Sequence, residues 1–321
     1  MFGRYGHTRF LQSDGKTPFA EHAEALASDF TLVNLETPID AALPGHASRP
    51  GKNRFGAKPE TVRLLRDAGV NAVSMANNHA YDLGPMRMLH AKSELQAQGL
   101  AVYGAPGIAE HTEDRIGCEE VIIKGTSACL LSVSAKSNVF SVPKTWPKVP
   151  YTRQWRLQRV LVPIVKNAAK TYPLVIVFLH WGKEYEDAPS SGQRKTAHLL
   201  VDAGAQLVIG HHPHVVQGFE RYGRGLIAYS LGNFYFDRSR SNTADGVVAR
   251  VHLDDRSRPV ALTLIPSRIG HHPNVVMRPR GEHATKQLDR IQRLSRALGT
   301  SLYRSEDTLV LQTPMLAKKI D

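Results

Sequence analysis

Apolar and polar positions along this chain switch repeatedly between a strand-like and a helix-like period. Short apolar runs stand at Thr31–Leu35, Val70–Met75, Val102–Tyr103, Val121–Lys124, Ala128–Ser134, Leu174–Leu179, Leu207–Ile209 and Leu226–Leu231. Between them, apolar residues recur at helical spacing over Pro18–Ser28, Pro59–Ala68, Pro85–Gln98, Arg153–Tyr172 and Ser191–Ala203. That succession predicts βα units around a largely buried sheet. Pro59 suits a first helical turn and Gly69 a helix end. In the helix over Arg153–Tyr172, Trp155, Val160, Ile164 and Val165 count among the apolar positions. Val247–Leu253 and Val260–Ile265 read as a closing β-hairpin around Asp254–Arg258. In a final helix over His283–Leu298, Leu288, Ile291, Leu294 and Leu298 share one face, with Arg290, Arg293 and Arg296 elsewhere on its surface.

Two stretches break the pattern. Asp40–Gly56, rich in Pro, Gly, Ser and basic residues, predicts a long surface loop. Ser134–Tyr151, with Pro143, Pro147 and Pro150, predicts a lid or a linker, and the βα pattern that resumes after it favours a lid. The length of 321 residues, with 42% hydrophobic and 22% charged residues, is that of a packed globular protein. One domain over residues 1–321 is expected, its closing hairpin and helix at 245–321.

Charge narrows the partners. A net charge of +12 favours phosphate, a polyanionic polymer, nucleic acid or an anionic membrane surface. No aromatic-and-basic RNA-reading motif and no zinc-finger spacing is present, so nucleic acid is the minor reading. Cys118 and Cys129 are the two cysteines, which allows at most one bridge. The first residues lack the apolar core of a signal peptide, and no run approaches the roughly 20 apolar residues of a membrane span. As it stands the sequence reads as soluble and cytoplasmic.

The polar residues that stand out are Asn34 and Glu36, then Asn77, Asn78 and His79, then His180, then His211, His212 and His214. Each group lies just beyond an apolar run, and in an α/β sheet the strand ends share the edge where ligands bind. Imidazole nitrogen, carboxylate and amide oxygen together suit Zn, Mn or Fe rather than Ca or Mg. One or two such divalent ions could clamp a phosphate and activate water, which is phosphoester hydrolysis chemistry. The plainer alternatives are a turn or helix cap for Asn77–Asn78, a turn cap for Glu36 and a satisfied core residue for a lone histidine.

The segments NLETPID, SMANNHAYDLG, FLHWGKEY, VIGHHPHVVQGFE and AYSLGNFYFD, spanning about residues 33–237, resemble those of the CapA family of capsule and poly-γ-glutamate synthesis proteins. That resemblance implies a layered α/β/β/α sandwich of the metallophosphoesterase-like type. It implies Glu36, Asn78, His180, His212 and His214 as metal ligands and His79 as the residue acting on the leaving group. Asn34, Asn77 and His211 are left as further ligands or as residues that orient them. On the substrate side stand Arg4, Lys52, Arg54, Trp181, Glu184 and Asn233, although Trp181 can equally pack beside the site. Arg238 and Arg240 are further polyanion contacts, and His271–His272 reads as an exposed loop. The implied role is synthesis, release or anchoring of an anionic polymer, or action on a phosphorylated substrate, alongside other capsule-synthesis proteins. The alternative is a non-catalytic polymer-binding or assembly partner with the same fold. One departure bears on this choice: the family opens with a strand ending in Gly-Asp, whereas here Met1–Arg4 resembles only the residues on the C-terminal side of that motif. Either the start lies upstream, which would allow a cell-envelope location, or the first strand and its carboxylate ligand are lost.

Overall fold

The computed structural model describes residues 17–41, 54–236, 243–270 and 275–312. The first helix is shorter than its pattern predicts: a 3-10 turn at Ala20–His22 leads into α1 (Ala23–Leu26). The reason is local competition, since the Thr31 hydroxyl donates to the Leu26 carbonyl at 2.7 Å and so takes up the end of the helix. Next, β1 (Leu32–Asn34), β2 (Ala72–Ser74) and β3 (Ala101–Tyr103) form a parallel three-stranded sheet in that order, joined through α2 (Glu60–Asp67) and α3 (Pro85–Ala97). Pro59 caps α2 and Pro85 opens α3, where a missing N–H costs nothing. Val62, Leu65, Met88, Ala91 and Leu95 of the two helices pack with Val73 and Met75.

A six-stranded sheet forms the centre. Its strands are β4 (Glu119–Ile123), β5 (Thr126–Ser134), β6 (Val175–His180), β7 (Leu207–His211), β8 (Phe219–Tyr222) and β9 (Gly225–Ala228), in the order β4-β5-β6-β7-β9-β8. β5, β6, β7 and β9 run parallel. On one face lie α4 (Leu157–Ala168) and α5 (Ser191–Asp202), whose Leu157, Leu161, Val165, Ala197 and Leu200 meet Leu131, Val133, Val177, Leu179 and Val208. A capping box starts α5: the Ser190 hydroxyl accepts from the Gln193 N–H while the Gln193 side chain accepts from the Ser190 N–H.

The other face of the central sheet, with Leu130, Ile176, Phe178 and Ile209, packs on a third sheet built from β10 (Asp245–Leu253), β11 (Pro259–Ile269), β12 (Val276–Met277), β13 (Tyr303–Ser305) and β14 (Thr308–Gln312). From α6 (Gly281–Arg296), Leu288 and Ile291 join this layer. Helices, sheet and sheet thus make the mixed α/β sandwich that the sequence implied, with a small separate parallel sheet as an addition. The expected hairpin is β10–β11.

Three expectations change. Trp155 lies not on the buried face of a helix but in a 3-10 turn, Gln154–Arg156, and is 74% exposed. The helical phase starts only at Leu157, which turns Leu157, Leu161 and Val165 inward. β8, β12 and β13 carry no clear alternation in sequence because they are short and pair on one side only, and the five-residue β14, which lies between β11 and β13, is also too short to stand out. The stretch 134–151 is a braced wall rather than a hinged lid. Its Lys148 ammonium is buried and donates to the carbonyls of Pro143, Lys144 and Trp146 at 3.3, 2.9 and 2.9 Å, while the Tyr81 hydroxyl donates to Pro147 at 3.2 Å. A buried cation satisfied this way holds its loop closed. Cys118 and Cys129 are disulfide-bonded and tie the start of β4 to β5. The question of a first strand, most of the 40–56 loop and His271–His272 lie outside the described residues.

Candidate metal centre

β1 and β2 of the small sheet, and β6 and β7 of the central sheet, each run parallel to one another and so deliver their polar residues at one end, and the two ends meet at His180, which contacts Asn34 and Asn78. His180 is the last residue of β6 and stands in register with His211, the last of β7. Asn34 ends β1, with Glu36 two residues beyond. After β2 the chain turns tightly: the Asn77 side chain accepts from the His79 N–H at 3.1 Å and donates to the Leu35 carbonyl at 3.0 Å and to the Asn34 side chain at 3.3 Å. Asn77 is therefore the bracket that joins two strand ends and presents Asn78 and His79.

Nitrogen and oxygen atoms crowd where these elements meet. One ligand atom each from Glu36, His212 and His214 falls within a cluster in which all lie within 4.8 Å of one another. His180 Nε2 is 3.2 Å from His212 Nδ1, 3.5 Å from Glu36 Oε1 and 2.7 Å from Asn78 Oδ1. Glu36 Oε1 is sequestered from solvent and has no hydrogen-bond partner. His79 Nε2 stands 3.9 Å from the same oxygen.

Neighbouring groups aim these side chains. Asn233 donates to the Thr243 carbonyl at 2.9 Å, so its own oxygen faces His214 Nδ1 at 2.9 Å and leaves Nε2 free. Asn138, from the braced wall, accepts from Asn78 Nδ2 at 3.1 Å, which turns the Asn78 oxygen toward His180. Asp82 bonds His79 Nδ1 at 2.7 Å and is itself held by the Phe55 N–H at 2.7 Å. The backbone is strained here: His212 and His214 take φ of 98° and 60°, in the left-handed region. Such residues cost about 1–3 kcal/mol each and cluster where function needs them. Two glycines permit close approach: a Cβ at Gly210 would lie 2.1 Å from the Tyr229 carbonyl oxygen, and one at Gly246 would lie 2.0 Å from that of Asn233.

Electrostatics set the histidines apart. Burial, then the neighbouring His212, His211, His214 and His79, hold His180 well below the usual imidazole range. Burial lowers His211 and His212 to about 3, with His214, Lys136 and His79 adding to the effect at His212. These rings are neutral at physiological pH, the state in which imidazole binds metal. His79 goes the other way. Burial pulls it down, but the bond to Asp82 and the charges of Glu36, Asp82 and Glu184 outweigh that and raise it.

The structure thus brings together Asn34, Glu36, Asn77, Asn78, His79, His180, His212, His214 and Asn233. His211 stands apart from the cluster, its ring centroid 4.3 Å from that of Phe178 and its Nε2 sequestered without a partner. It lines a cavity of about 890 Å³ that runs between β1, β10 and the central sheet and has Glu36, His212 and His214 at one end. Trp181 is not a substrate contact: it is fully buried among the α4 and α5 side chains and donates to the Tyr229 carbonyl at 3.1 Å. Asn233 bonds His214, a more specific contact than the substrate role expected of it. Glu184 and Arg54 are exposed, Glu184 being near enough to act on His79. Arg4, Lys52, Arg238 and Arg240 lie outside the described residues. Asp82, Asn138 and Lys136 were not foreseen; the His79-x-x-Asp82 spacing was the one signal for the first.

Comparison with known proteins bears on the same segments. The family model described as bacterial capsule synthesis protein PGA_cap matches residues 1–238. The chain is 31% identical over 259 residues to the PGA biosynthesis protein CapA of Bacillus subtilis (strain 168), covering 79% of this chain and 65% of that protein. It is 30% identical over 251 residues to the capsule biosynthesis protein CapA of Bacillus anthracis, covering 75% of this chain and 58% of that one. The chain therefore matches less than two thirds of the length of either relative. A "Probable polyglutamine synthesis accessory protein" of Mycobacterium tuberculosis (strain ATCC 25618 / H37Rv) is 26% identical over 328 residues, covering 95% of this chain and 83% of that protein.

Proposed function

The chain belongs to the bacterial capsule synthesis family PGA_cap, and from that premise we propose that it serves the making of a polyglutamate-type capsule polymer through metal-dependent phosphoester hydrolysis at the Glu36–histidine cluster. The hydrolytic part rests on one observation: a buried, partnerless carboxylate oxygen of Glu36 in a cluster with His212 and His214. Leaving such an oxygen uncompensated is costly, and a divalent cation removes the cost. Glu36, His212 and His214 would hold an ion, with His180 and Asn78 as ligands beside them, and this donor set suits Mn, Zn or Fe. When bound, such an ion supplies Lewis acidity toward a phosphoryl oxygen and lowers the pKa of water.

The chain's own residues support the rest. Asp82 fixes the His79 ring through Nδ1, so the Nε2–H faces the Glu36 side. With its pKa raised, His79 keeps a proton to give to a leaving oxygen. The Phe55 ring, with its centroid 4.4 Å from that of His79, shields this proton from bulk water. Substrates in keeping with the basic charge are phosphorylated or polyanionic, and the relatives' names point to other polymer-synthesis proteins as partners. Among the described residues no helix is long and apolar enough to cross a membrane.

Elemental analysis of the purified protein, coupled to turnover of p-nitrophenyl phosphate and its bis ester, tests this reading. Transition metal in the wild type, lost in His212→Ala together with at least about 100-fold of the turnover, is the expected result. Metal bound without turnover of either ester would make the chain an assembly partner instead, and absence of bound metal would refute the centre.

A further inference from the structure

The turn after β5 carries a cation to the same edge. Ser134 pairs with His180 in register, and the Ala135 N–H donates to the His180 carbonyl at 2.8 Å, so the chain bends over the end of β6. Two hydroxyl-closed turns come next. The Ser134 hydroxyl accepts from the Lys136 N–H at 3.2 Å and donates to the Lys136 carbonyl at 2.7 Å. The Ser137 hydroxyl does the same for Val139 at 3.1 and 2.9 Å. These turns fix the backbone on both sides of Lys136. They also seat Asn138 against Asn78 and His79, at 3.1 and 3.4 Å. Lys136 is therefore bracketed by residues that touch the cluster on either side.

Its side chain is half-buried, and among the described residues its ammonium makes neither a hydrogen bond nor an ion pair. Burial pulls the amine's pKa down against the opposing charge of Glu184, which stands beyond ion-pair distance. The chain on either side of Lys136 touches the cluster, through the Ala135 N–H to His180 and Asn138 to Asn78, and the Lys136 charge helps to lower the His212 ring. A half-buried cation without a partner among the described residues, held by two closed turns at the rim of a polar site, matches an incoming anion better than a structural contact.

We infer that Lys136 binds an oxygen of the substrate's phosphoryl group, so that a phosphate-type oxyanion sits between Lys136 and the Glu36–histidine cluster. This rests on the hydrolytic reading above for its substrate class, and it adds the residue that selects for the anion. The same residue explains why the wall at 134–151 is braced rather than mobile: a charge that recognises an oxyanion has to be held in place.

Calorimetric titration of inorganic phosphate, with and without Mn, separates the two proposals. Wild type, Lys136→Met and Lys136→Arg are compared, with melting temperature and Mn content as controls. Lys136→Met should weaken phosphate binding about tenfold, Lys136→Arg should stay near wild type, and neither control should move. Phosphate affinity in Lys136→Met within about twofold of wild type, or no phosphate binding by the wild type under either condition, overturns the inference. If the wild type takes up no Mn, Zn or Fe yet binds phosphate through Lys136, the hydrolytic reading falls and this one stands.

Discussion

Two buried glutamates, each beside imidazole, have opposite surroundings. Glu220 on β8 accepts from the Tyr229 hydroxyl at 2.6 Å and from His198 Nε2 at 2.9 Å, one contact for each carboxylate oxygen. The His198 ring stacks on Tyr222 with centroids 3.8 Å apart. Burial and the bond to Glu220 push the Tyr229 phenol well above its ordinary range, so it stays a donor. Glu36 has a free buried oxygen, and two of the histidines around it, His212 and His214, sit on left-handed backbone. The same residue types are closed and structural in one place, open and strained in the other. The difference lies in whether the hydrogen-bonding capacity is used up within the chain.

Glu36→Gln presses hardest on this contrast. Metal affinity, measured by competition with a chelator, should fall at least about 100-fold, while the metal-free protein unfolds in denaturant no earlier than wild type because an uncompensated charge is gone. A Glu36→Gln protein that keeps its metal would show the open oxygen to be incidental. Glu220→Gln should do the reverse. It leaves metal content untouched and costs about 2–3 kcal/mol in urea unfolding, through the loss of charge-assisted bonds from Tyr229 and His198. Equal metal loss in both variants would erase the distinction between the two sites.

The smallest effect is on pH. His211 and His212 are held near 3, against about 6.5 for a free imidazole. Groups depressed in this way contribute stability that is fully present above about pH 6.5 and lost as pH falls toward 3. The raised His79 contributes below about pH 6.5 and fades as pH rises, so it does not cancel that loss. The metal-free protein should therefore lose about 1–2 kcal/mol between pH 6.5 and 5.5, read from urea midpoints. A flat profile over that range would mean that these rings are not held neutral by burial.

Most candidate ligands were legible because each follows an apolar run, and parallel strands send such positions to one end, although the structure divides these strands between two sheets whose ends meet. Asn34, His180 and His211 end their strands, and Glu36, Asn78, His79, His212 and His214 come close behind. Of the two roles open to Trp181, a substrate contact or packing beside the site, the structure takes the second. Trp181 directly follows His180, and successive residues at a strand end face opposite sides, so one enters the site and the other the helix-covered core. Asn138 and Lys136 were hidden because their sequence distance from the cluster, 60 residues between Asn78 and Asn138, carries no periodic signal.

By itself, the sequence determined the βα order and the residue types gathered at the strand ends, because hydrophobic periodicity and chain direction are local properties, while the sandwich class came from the resemblance of its motifs to a known family. Tertiary structure alone decided which polar atoms would be satisfied. Asn233 aims His214, Asp82 aims His79 and Asn138 aims Asn78, whereas one oxygen of Glu36 is left over. Hydrogen bonds between segments far apart in the chain are settled only when the layers pack, and those bonds distinguish a closed polar core from a site prepared for a ligand.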